Sequence, residues 1–287
     1  MLQRSTIQLL RLHFSFFLMP VYLFAISQIQ KPNWVRAMLI FFILHFLVYP
    51  SSNGYNSYMD KDLDSIGGLK HPMQPTRQLF VVSIIMDAIA FLLSFAISAF
   101  FALGILLYIL ASRAYSYRGI RLKRYPFIGY LTVCVFQGAV TFWLVYHGSH
   151  PLKTLLVPVT GMLASSLLIG GFYPLTQVYQ HEADGKDGVT TISSFLGYKG
   201  TFKFTGLIYF SAFIVLAYHF ISSLEAKQFL VLQIFMLPVF VYFFIWAAQV
   251  WKKTAAADFR NTMRMNILAS CCTNAGFLTL IIWRLFE

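Results

Sequence analysis

The sequence predicts an all-α integral membrane protein, in which nine transmembrane helices form an internally repeated bundle with a polar cavity at the cytoplasmic face. Composition predicts the membrane class: 58% of the 287 residues are hydrophobic, only 11% are charged, and the mean hydropathy is +0.67. Ordinary soluble domains carry about 25% charged residues. The composition therefore excludes a water-soluble globular enzyme and leaves little sequence for an extramembrane domain.

Apolar windows of about 20 residues place the nine helices. Turn-forming residues separate several of them, as at Gly67-Gly68 and from Gly185 to Gly188. No small-residue cleavage site follows the first window, so we expect a retained helix rather than a signal peptide. The predicted spans are 9–28, 35–57, 78–99, 100–116, 125–147, 154–180, 202–222, 228–250 and 265–285.

The Lys and Arg residues give an independent test of that count. With nine spans, 17 of the 22 lie on the side of the N-terminus and five on the other side. The positive-inside rule then places the N-terminus and the loops after helices 2, 4, 6 and 8 in the cytoplasm, and we expect a multi-pass protein of a bacterial inner membrane. The cations fall between apolar runs rather than in one basic arm, which favours membrane lipid or a phosphorylated substrate as partner over nucleic acid.

A short polar pattern at the end of predicted helix 2 recurs 124 residues later at the end of predicted helix 6. The copies run from Tyr49 to Asp60 and from Tyr173 to Asp184. Tyr, Pro, Tyr and Asp are identical between them, and both amide positions keep an amide. We interpret the pattern as a duplicated helical unit that brings two polar helix ends together. Chance matching is the alternative, because 18% of the residues are aromatic.

Six of the ten acidic residues follow these two helices on the same predicted membrane face. On a continuous helix Asn56, Asp60 and Asp64 line one face over about 12 Å. Gln180 and Asp184 have the same four-residue spacing in the second copy. Facing carboxylate and amide oxygens suit Mg²⁺, which uses one or two carboxylates together with substrate phosphates. The alternative is a set of solvated loop acids, which we consider weaker because two related clusters share one face.

The loop after predicted helix 4 carries four cations within seven residues: Arg118, Arg121, Lys123 and Arg124. Arginine offers a planar fork to phosphate oxygens, whereas lysine offers a point charge. The same charges suit a topology anchor that binds lipid headgroups. We expect some of these side chains to anchor the loop and others to bind phosphate.

These motifs resemble those of the UbiA superfamily of intramembrane prenyltransferases. Its first aspartate motif, N-x-x-x-D-x-x-x-D, is similar to Asn56 through Asp64. Its second, D-x-x-x-D-x-x-x-G, is similar to Gln180 through Gly188, with Gln in place of the first Asp. The Tyr-Ser and Leu-Lys-Arg sequences after helix 4 resemble the tyrosine and cation loop of the family. The resemblance implies a single domain over 1–287, with the motif regions at 53–64 and 177–188.

The resemblance implies Mg²⁺-dependent transfer of a prenyl group from an isoprenyl diphosphate to a lipophilic acceptor, aromatic or lipid, within the membrane. Asp60, Asp64 and Asp184 would be catalytic and would bridge the diphosphate to Mg²⁺, with Asn56 as a further metal ligand. Tyr115, or Tyr117, would shield the allylic cation through its ring face. The substrate-binding residues implied are Asn53, Asn56, Arg118, Arg121, Lys123, Gln177, Gln180 and Lys199. Because Gln180 replaces an aspartate, the number of Mg²⁺ ions stays open.

Three other functions stay open at this stage. A terpene cyclase of the same fold would capture the allylic cation with the substrate's own chain. A secondary transporter would also show internal repeats and buried polar residues, but such sites lie near the bilayer midplane, whereas the polar residues here gather at one face. A catalytically silent scaffold is the third alternative, and the Gln180 substitution is the only feature that suggests it.

Overall fold

Nine long helices make up the computed structural model, which describes residues 1–286. Each of these nine is long and apolar enough to cross a membrane, so the predicted count is confirmed for the described residues. Their bounds are α1 Arg4–Ser27, α2 Trp34–Asp60, α3 Arg77–Ser94, α4 Ala99–Ser116, α5 Pro126–Ser149, α6 Val159–Lys186, α7 Ile192–Ser222, α8 Ala226–Lys252 and α9 Phe259–Leu285.

The predicted ends of several helices were wrong, because windows of apolar residues do not detect polar first and last turns. Helix α9 begins at Phe259 rather than 265, and the Asp258 carboxylate caps it by accepting a hydrogen bond from the backbone N–H of Asn261 at 2.7 Å. Helix α7 begins at Ile192 rather than 202 and continues across Gly197, whose φ of 67° interrupts the regular geometry.

Two of the helices contain π-helical segments, at Ile43–Val48 in α2 and Cys134–Val140 in α5. The second segment lies where α5 approaches the backbone of α6. A Cβ atom added at Gly138 would lie 2.4 Å from the Cα of Ser166, so only glycine permits this approach. Single π-helical turns are frequent at functional sites, since they change which side chains point inward.

Aromatic side chains fill the centre of the bundle and fix the relative positions of α1, α5 and α9. Phe24 of α1 is fully buried, and its ring centroid lies 4.9 Å from that of Phe277 on α9. The ring of Phe142 on α5 lies 5.0 Å from Phe24 on another side. Aromatic rings from three helices therefore pack the centre of the bundle around Phe24.

A buried ion pair joins α2, α3 and α4. The guanidinium of Arg113 on α4 donates to the carboxylate of Asp87 on α3, and also to the Ser51 hydroxyl on α2 at 2.7 Å. Ser51 in turn donates to Asp87. Arg113 also lies 4.0 Å from the centroid of the Tyr55 ring, which adds a cation–π contact. Asp87 is thus hydrogen-bonded and ion-paired within the bundle.

Candidate functional site

A polar cavity of about 210 Å³ lies where the ends of α2, α4 and α6 meet. We call this the aspartate end of the bundle. The charged side chains that line the cavity are Arg11, Asp60, Asp62, Lys123 and Asp184. Its other polar lining consists of hydroxyl and amide groups contributed by α2, α4, α5 and α6. Both copies of the sequence repeat therefore contribute to one cavity.

Asp60 is the last residue of α2 and is 9% exposed. The next residue, Lys61, adopts the left-handed conformation with φ 54°, which ends the helix. The helical face expected to run from Asn56 through Asp64 therefore stops at Asp60. Asp64 lies on the exposed loop that follows and does not line the cavity, whereas its neighbour Asp62 does.

The loop after α4 supplies cations to Asp60. The ammonium of Lys123 donates to Oδ2 of Asp60, and Nη2 of Arg121 lies 3.6 Å from Oδ1. Arg121 also forms an ion pair and a hydrogen bond with Asp187. Oδ1 of Asp60 is buried and makes no hydrogen bond with any described residue. Oδ2 of this carboxylate is thus hydrogen-bonded, whereas Oδ1 has only the longer ion pair with Arg121.

Arg118 binds the end of α2 rather than the cavity. Its guanidinium donates to the carbonyl oxygens of Met59 at 2.7 Å and Asp60 at 3.3 Å, and these are among the last carbonyls of that helix. A cation is favourable at a helix C-terminus, where the carbonyl groups lack partners within the helix. Of the predicted loop cations, Lys123 lines the cavity, while Arg118 and Arg121 hold the surrounding backbone and acids.

The second copy brings Asp184 to the cavity in a different setting. No Lys, Arg or His nitrogen of the described residues lies within 4.0 Å of its carboxylate. Each copy of the repeat has two amide residues, and the second of them, Asn56 or Gln180, is hydrogen-bonded. Ser116 donates to Asn56 Oδ1 at 2.8 Å, and Gln180 Nε2 donates to the carbonyl of Ser65 at 3.3 Å. The wall of the site around the carboxylates is therefore preorganised.

Two tyrosines meet in the wall of the cavity. The hydroxyl groups of Tyr115 on α4 and Tyr173 on α6 share a hydrogen bond. Tyr173 is the first residue of the 3₁₀-helical segment Tyr173–Gln180, which carries the second copy of the repeat. Its position in the repeat is the sequence feature that would have identified it as part of the site.

Sequence reasoning also missed Arg11 and Asp62 as site residues. Arg11 is 6% exposed, and its guanidinium donates to the carbonyls of Gly67 at 3.2 Å and Asn53 at 3.3 Å. A charged residue inside the first apolar window is costly unless it faces a polar cavity, and that was the available signal. The pKa of Asp62 is raised to about 6, mainly by burial and to a lesser extent by the nearby Asp60 carboxylate. The cations Lys123 and Arg11 lower this pKa but do not offset the increase.

The structure brings most, not all, of the predicted site residues together. Asp64 and Lys199 are exposed and do not line the cavity. Those that line it are Asn53, Asn56, Asp60, Tyr115, Lys123, Gln177, Gln180 and Asp184.

The chemistry of these donors fits a hard divalent cation. An unbonded, buried Oδ1 of Asp60 and the unpaired carboxylate of Asp184 line the same cavity, together with amide oxygens. No group of three His, Cys, Asp or Glu side chains within residues 1–286 is close enough to hold a metal alone. A magnesium ion does not require such a group when substrate phosphates supply the remaining ligands.

A second, apolar cavity of about 550 Å³ lies between α1, α6, α7, α8 and α9. Its lining includes Phe17 and Phe172. Each has a neighbour in the polar cavity: Phe14, whose ring centroid is 5.2 Å from that of Phe17, and Tyr173, which follows Phe172 in the chain. The two cavities therefore approach each other at these aromatic residues.

A comparison with protein-family models matches residues 16–268 to the UbiA prenyltransferase family. The chain belongs to the UbiA prenyltransferase family. The match covers all nine helices in whole or in part, and includes both copies of the repeat and the loop after α4. A comparison with curated protein sequences gave no match.

Solved structures of UbiA proteins share the fold. A UbiA homologue from Archaeoglobus fulgidus, bound to GPP and Mg²⁺, superimposes with a TM-score of 0.71 at 21% identity, over 96% of this chain and 99% of that one. A digeranylgeranylglyceryl phosphate synthase gives a TM-score of 0.63 at 18% identity, with 99% of both chains covered. The apo structure of a homologue from Aeropyrum pernix K1 gives 0.69 at 17% identity, over 94% and 98% of the two chains.

Proposed function

We propose that this protein is a Mg²⁺-dependent prenyltransferase that transfers a prenyl group from an isoprenyl diphosphate to a lipophilic acceptor within the membrane. The observation that carries the proposal is the convergence of Asp60, Asp184 and Lys123 on one cavity, in a chain of the UbiA prenyltransferase family. Relatives of the same fold are bound to GPP or DMAPP together with Mg²⁺. A substrate of that class would need both anionic metal ligands and a phosphate-binding cation.

Asp60, Asp184 and the Asn56 amide would hold Mg²⁺, with Asp62 or Asp64 as a further carboxylate. When bound, the ion supplies Lewis-acid stabilisation of the diphosphate charge that grows as the carbon–oxygen bond breaks. Asp62 lines the cavity, whereas the family motif assigns Asp64. Comparing the Mg²⁺ dependence of Asp62→Asn and Asp64→Asn decides which of the two completes the ligand set.

The cations of the site bind the leaving diphosphate. Lys123, from the loop after α4, and Arg11, from α1, both line the cavity. Arg121 lies next to Lys123 and keeps the loop in place through Asp187. Positioned charges of this kind stabilise developing negative charge without reorganisation, and losing one typically costs about 10²- to 10³-fold in rate.

Ionisation leaves an allylic cation on the prenyl chain. The tyrosine pair Tyr115 and Tyr173 lines the same cavity as the carboxylates, and an aromatic face attracts a cation. The hydrogen bond between the two hydroxyl groups fixes both rings. The acceptor then supplies the electron pair for the new bond and loses a proton.

The apolar cavity suits the hydrocarbon tail of the donor. It is lined almost wholly by apolar side chains and adjoins the polar cavity at Phe14 and Phe17. In this arrangement the diphosphate binds at the aspartate end and the chain extends among α1, α7, α8 and α9. The positive-inside distribution of Lys and Arg supports a cytoplasmic location for the aspartate end.

The test is a transfer assay on purified protein with radiolabelled geranyl, farnesyl and geranylgeranyl diphosphate. Each donor is offered with a panel of phenolic, naphtholic and glycerol-lipid acceptors, with and without Mg²⁺. We expect a prenylated acceptor only when Mg²⁺ is present. A cyclised hydrocarbon formed without acceptor would indicate a cyclase instead, and gradient-driven uptake into vesicles with no product would indicate a transporter.

A further inference from the structure

A third cavity lies at the end of the bundle opposite to the aspartate end. Its volume is about 500 Å³, and the ends of α1, α5, α7 and α9 surround it together with the starts of α6 and α8. We call it the distal cavity. Neither the aspartate motifs nor the proposed function involves it. Its polar lining includes Lys31, Tyr146, His150, Ser223, Glu225 and Arg284.

Arg284, near the end of α9, presents part of its guanidinium group to the distal cavity. Its side chain is 13% exposed, and Nη2 donates to Oε1 of Glu225. Nε and Nη1 are not buried and bond to none of residues 1–286. The ion pair therefore holds the guanidinium group in place and leaves N–H donors for a second acceptor.

Lys31 and His150 add further donors to the lining. Lys31 is exposed and forms no ion pair with an acid among residues 1–286. Nδ1 of His150 accepts a hydrogen bond from the backbone N–H of Leu152 at 3.2 Å, so the neutral ring carries its hydrogen on Nε2. The ring stacks on that of Tyr146, with the centroids 5.7 Å apart. The distal cavity is therefore rich in hydrogen-bond donors.

The loops after α1 and α5, which form one wall of the distal cavity, are bonded to each other. Arg36 donates to the carbonyl oxygens of His150 at 2.7 Å and Pro151 at 3.1 Å. The backbone N–H of Asn33 donates to the carbonyl of Ser149 at 2.8 Å. These bonds fix the donors before a ligand binds, which reduces the entropy lost on binding.

The lining selects an anion rather than a metal ion or an organic cation. No group of three His, Cys, Asp or Glu side chains within residues 1–286 is placed to hold a metal, and both ring nitrogens of His219 are already bonded. Glu225 is the only acid in the lining, and it is paired with Arg284. Lys31 and Arg284 exceed Glu225 by one positive charge. That excess matches the single negative charge of a phosphodiester.

Exposed apolar residues flank this polar lining. Leu224, between Ser223 and Glu225, is 94% exposed, and Phe286, two residues after Arg284, is 87% exposed. Lipid phosphates lie just outside the hydrocarbon core, at the depth where spanning helices end. A lipid can place its phosphate in the cavity and its chains against these apolar side chains, whereas a free phosphate ion contacts only the first.

We propose that the distal cavity binds the phosphodiester headgroup of a membrane lipid, in the leaflet away from the aspartate end. Arg284 donates to the phosphate through the nitrogens that Glu225 does not use. Lys31 supplies a second positive charge, and Nε2 of His150 donates a further hydrogen bond. The proposal does not depend on the prenyltransferase function, because the cavity lies at the other end of the bundle.

The experiment is a lipid titration of the full chain, purified in a neutral detergent and freed of co-purified lipid. Native mass spectrometry measures the binding of dioleoyl phosphatidylglycerol and of dioleoylglycerol, which has the same chains and no phosphate. We expect a single phosphatidylglycerol to bind about tenfold or more tighter than the diglyceride, because charged hydrogen bonds hold its phosphate. Inorganic phosphate and glycerol 3-phosphate, at the same concentration as the lipid, should not displace it.

Two variants test the residues of the distal cavity. Lys31→Met should weaken phosphatidylglycerol binding about fivefold. Lys227→Met is the matched control, because Lys227 is an exposed cation at the same end of the bundle but does not line the cavity. It should change binding by less than about twofold. Arg284→Met combined with Glu225→Gln keeps the net charge and should weaken binding about tenfold or more.

Four results would overturn the proposal. Phosphatidylglycerol could bind no tighter than the diglyceride, or Lys31→Met and Lys227→Met could lose binding equally, which would indicate net charge alone. The double variant could bind as the wild-type protein does. Displacement by inorganic phosphate would show a site for a free anion instead of a lipid. If the double variant does not fold, as judged by thermal unfolding without lipid, the comparison of Lys31→Met with Lys227→Met decides.

Discussion

The two copies of the repeat end in equivalent aspartates, Asp60 and Asp184, which differ in how close the nearest cations lie. Asp60 is bound by Lys123 and approached by Arg121, whereas Asp184 has no cation within 4.0 Å among the described residues. The difference comes from the loop after α4, whose cations contact Asp60 in the first copy but contact Asp187, not Asp184, beside the second. Duplication thus supplies two carboxylates for one cavity, and the loop makes them unequal before any ligand binds.

The copies also differ in helix type. The first is α-helical through Asp60, while the second runs as a 3₁₀-helix from Tyr173 to Gln180. In a 3₁₀-helix residues three apart share a face, and this keeps both Gln177 and Gln180 on the cavity wall. Equivalent side chains therefore reach one site from two different backbones.

The largest expected effects come from removing either carboxylate. Asp60→Asn and Asp184→Asn should each lower turnover by about 10²-fold or more, because both would hold the metal ion. Their effects on the metal-free protein should differ in sign. Asp60→Asn leaves Lys123 and Arg121 without their shared anion and should lower Tm, whereas Asp184→Asn removes a half-buried carboxylate that has no ion pair and should raise it. Thermal unfolding in detergent with EDTA measures both, and equal shifts of the same sign would contradict the comparison.

The next largest effect is expected from Lys123, which forms an ion pair with Asp60 but not with Asp184. Lys123→Met should lower turnover by about 10²-fold, since it removes the lysine that lines the cavity. Lys186→Met is the matched control, because Lys186 lies at the same end of the bundle but is exposed. It should change turnover by less than about twofold, as is usual for an exposed charge. Equal losses in the two variants would show that net charge at this end, not Lys123, is what matters.

An intermediate effect is expected from the ion pair between Arg113 and Asp87. Arg113 also contacts Ser51 and Tyr55 of the first copy. Arg113→Met leaves the Asp87 carboxylate without its cation, and breaking a buried pair costs roughly 3–5 kcal/mol. We expect a lower Tm and about a tenfold loss of turnover, smaller than for Asp60→Asn. Adding Asp87→Asn to Arg113→Met should restore part of the Tm, since the unpaired charge is gone. A double variant less stable than Arg113→Met would contradict this account.

The smallest effect is a pH-dependent one at Asp62. Its folded-state pKa of about 6 lies above the ordinary value of 3.8, so the folded protein binds its proton more tightly than the unfolded chain does. The resulting stability is fully present below pH 3.8 and is lost as pH rises through 6. Asp62→Asn should therefore raise the Tm of metal-free protein at pH 7.5 by a few degrees and leave it unchanged near pH 4. A Tm increase that is the same at both pH values would contradict the assignment.

The number of helices and the presence of a shared site could be predicted from local sequence. Membrane spans are apolar over their whole length, and the repeat carries matched residues, so both signals are readable without tertiary structure. The ends of α7 and α9 could not be read in this way. Their first turns are polar, and caps such as Asp258 stabilise them through contacts that hydropathy does not register.

The composition of the cavity was predictable only in part. Motif spacing predicted Asp60 and Asp184, and the cluster of cations after α4 predicted Lys123, but neither could show that the helix stops at Lys61. One residue in the left-handed conformation there places Asp62, rather than Asp64, against the cavity. Arg11 was not identified as a site residue because its partners, the carbonyls of Asn53 and Gly67, are distant in sequence.

The most direct test of the account is diphosphate release from geranyl diphosphate by purified protein, with Mg²⁺ and then with EDTA, in the presence of a phenolic and glycerol-lipid acceptor panel. Asp184→Asn is the control, because its carboxylate makes no ion pair that its loss would disturb. We expect release by the wild-type protein only with Mg²⁺, and at least about a 10²-fold slower release by the variant. Equal release by both proteins, or release that is unaffected by EDTA, would contradict it.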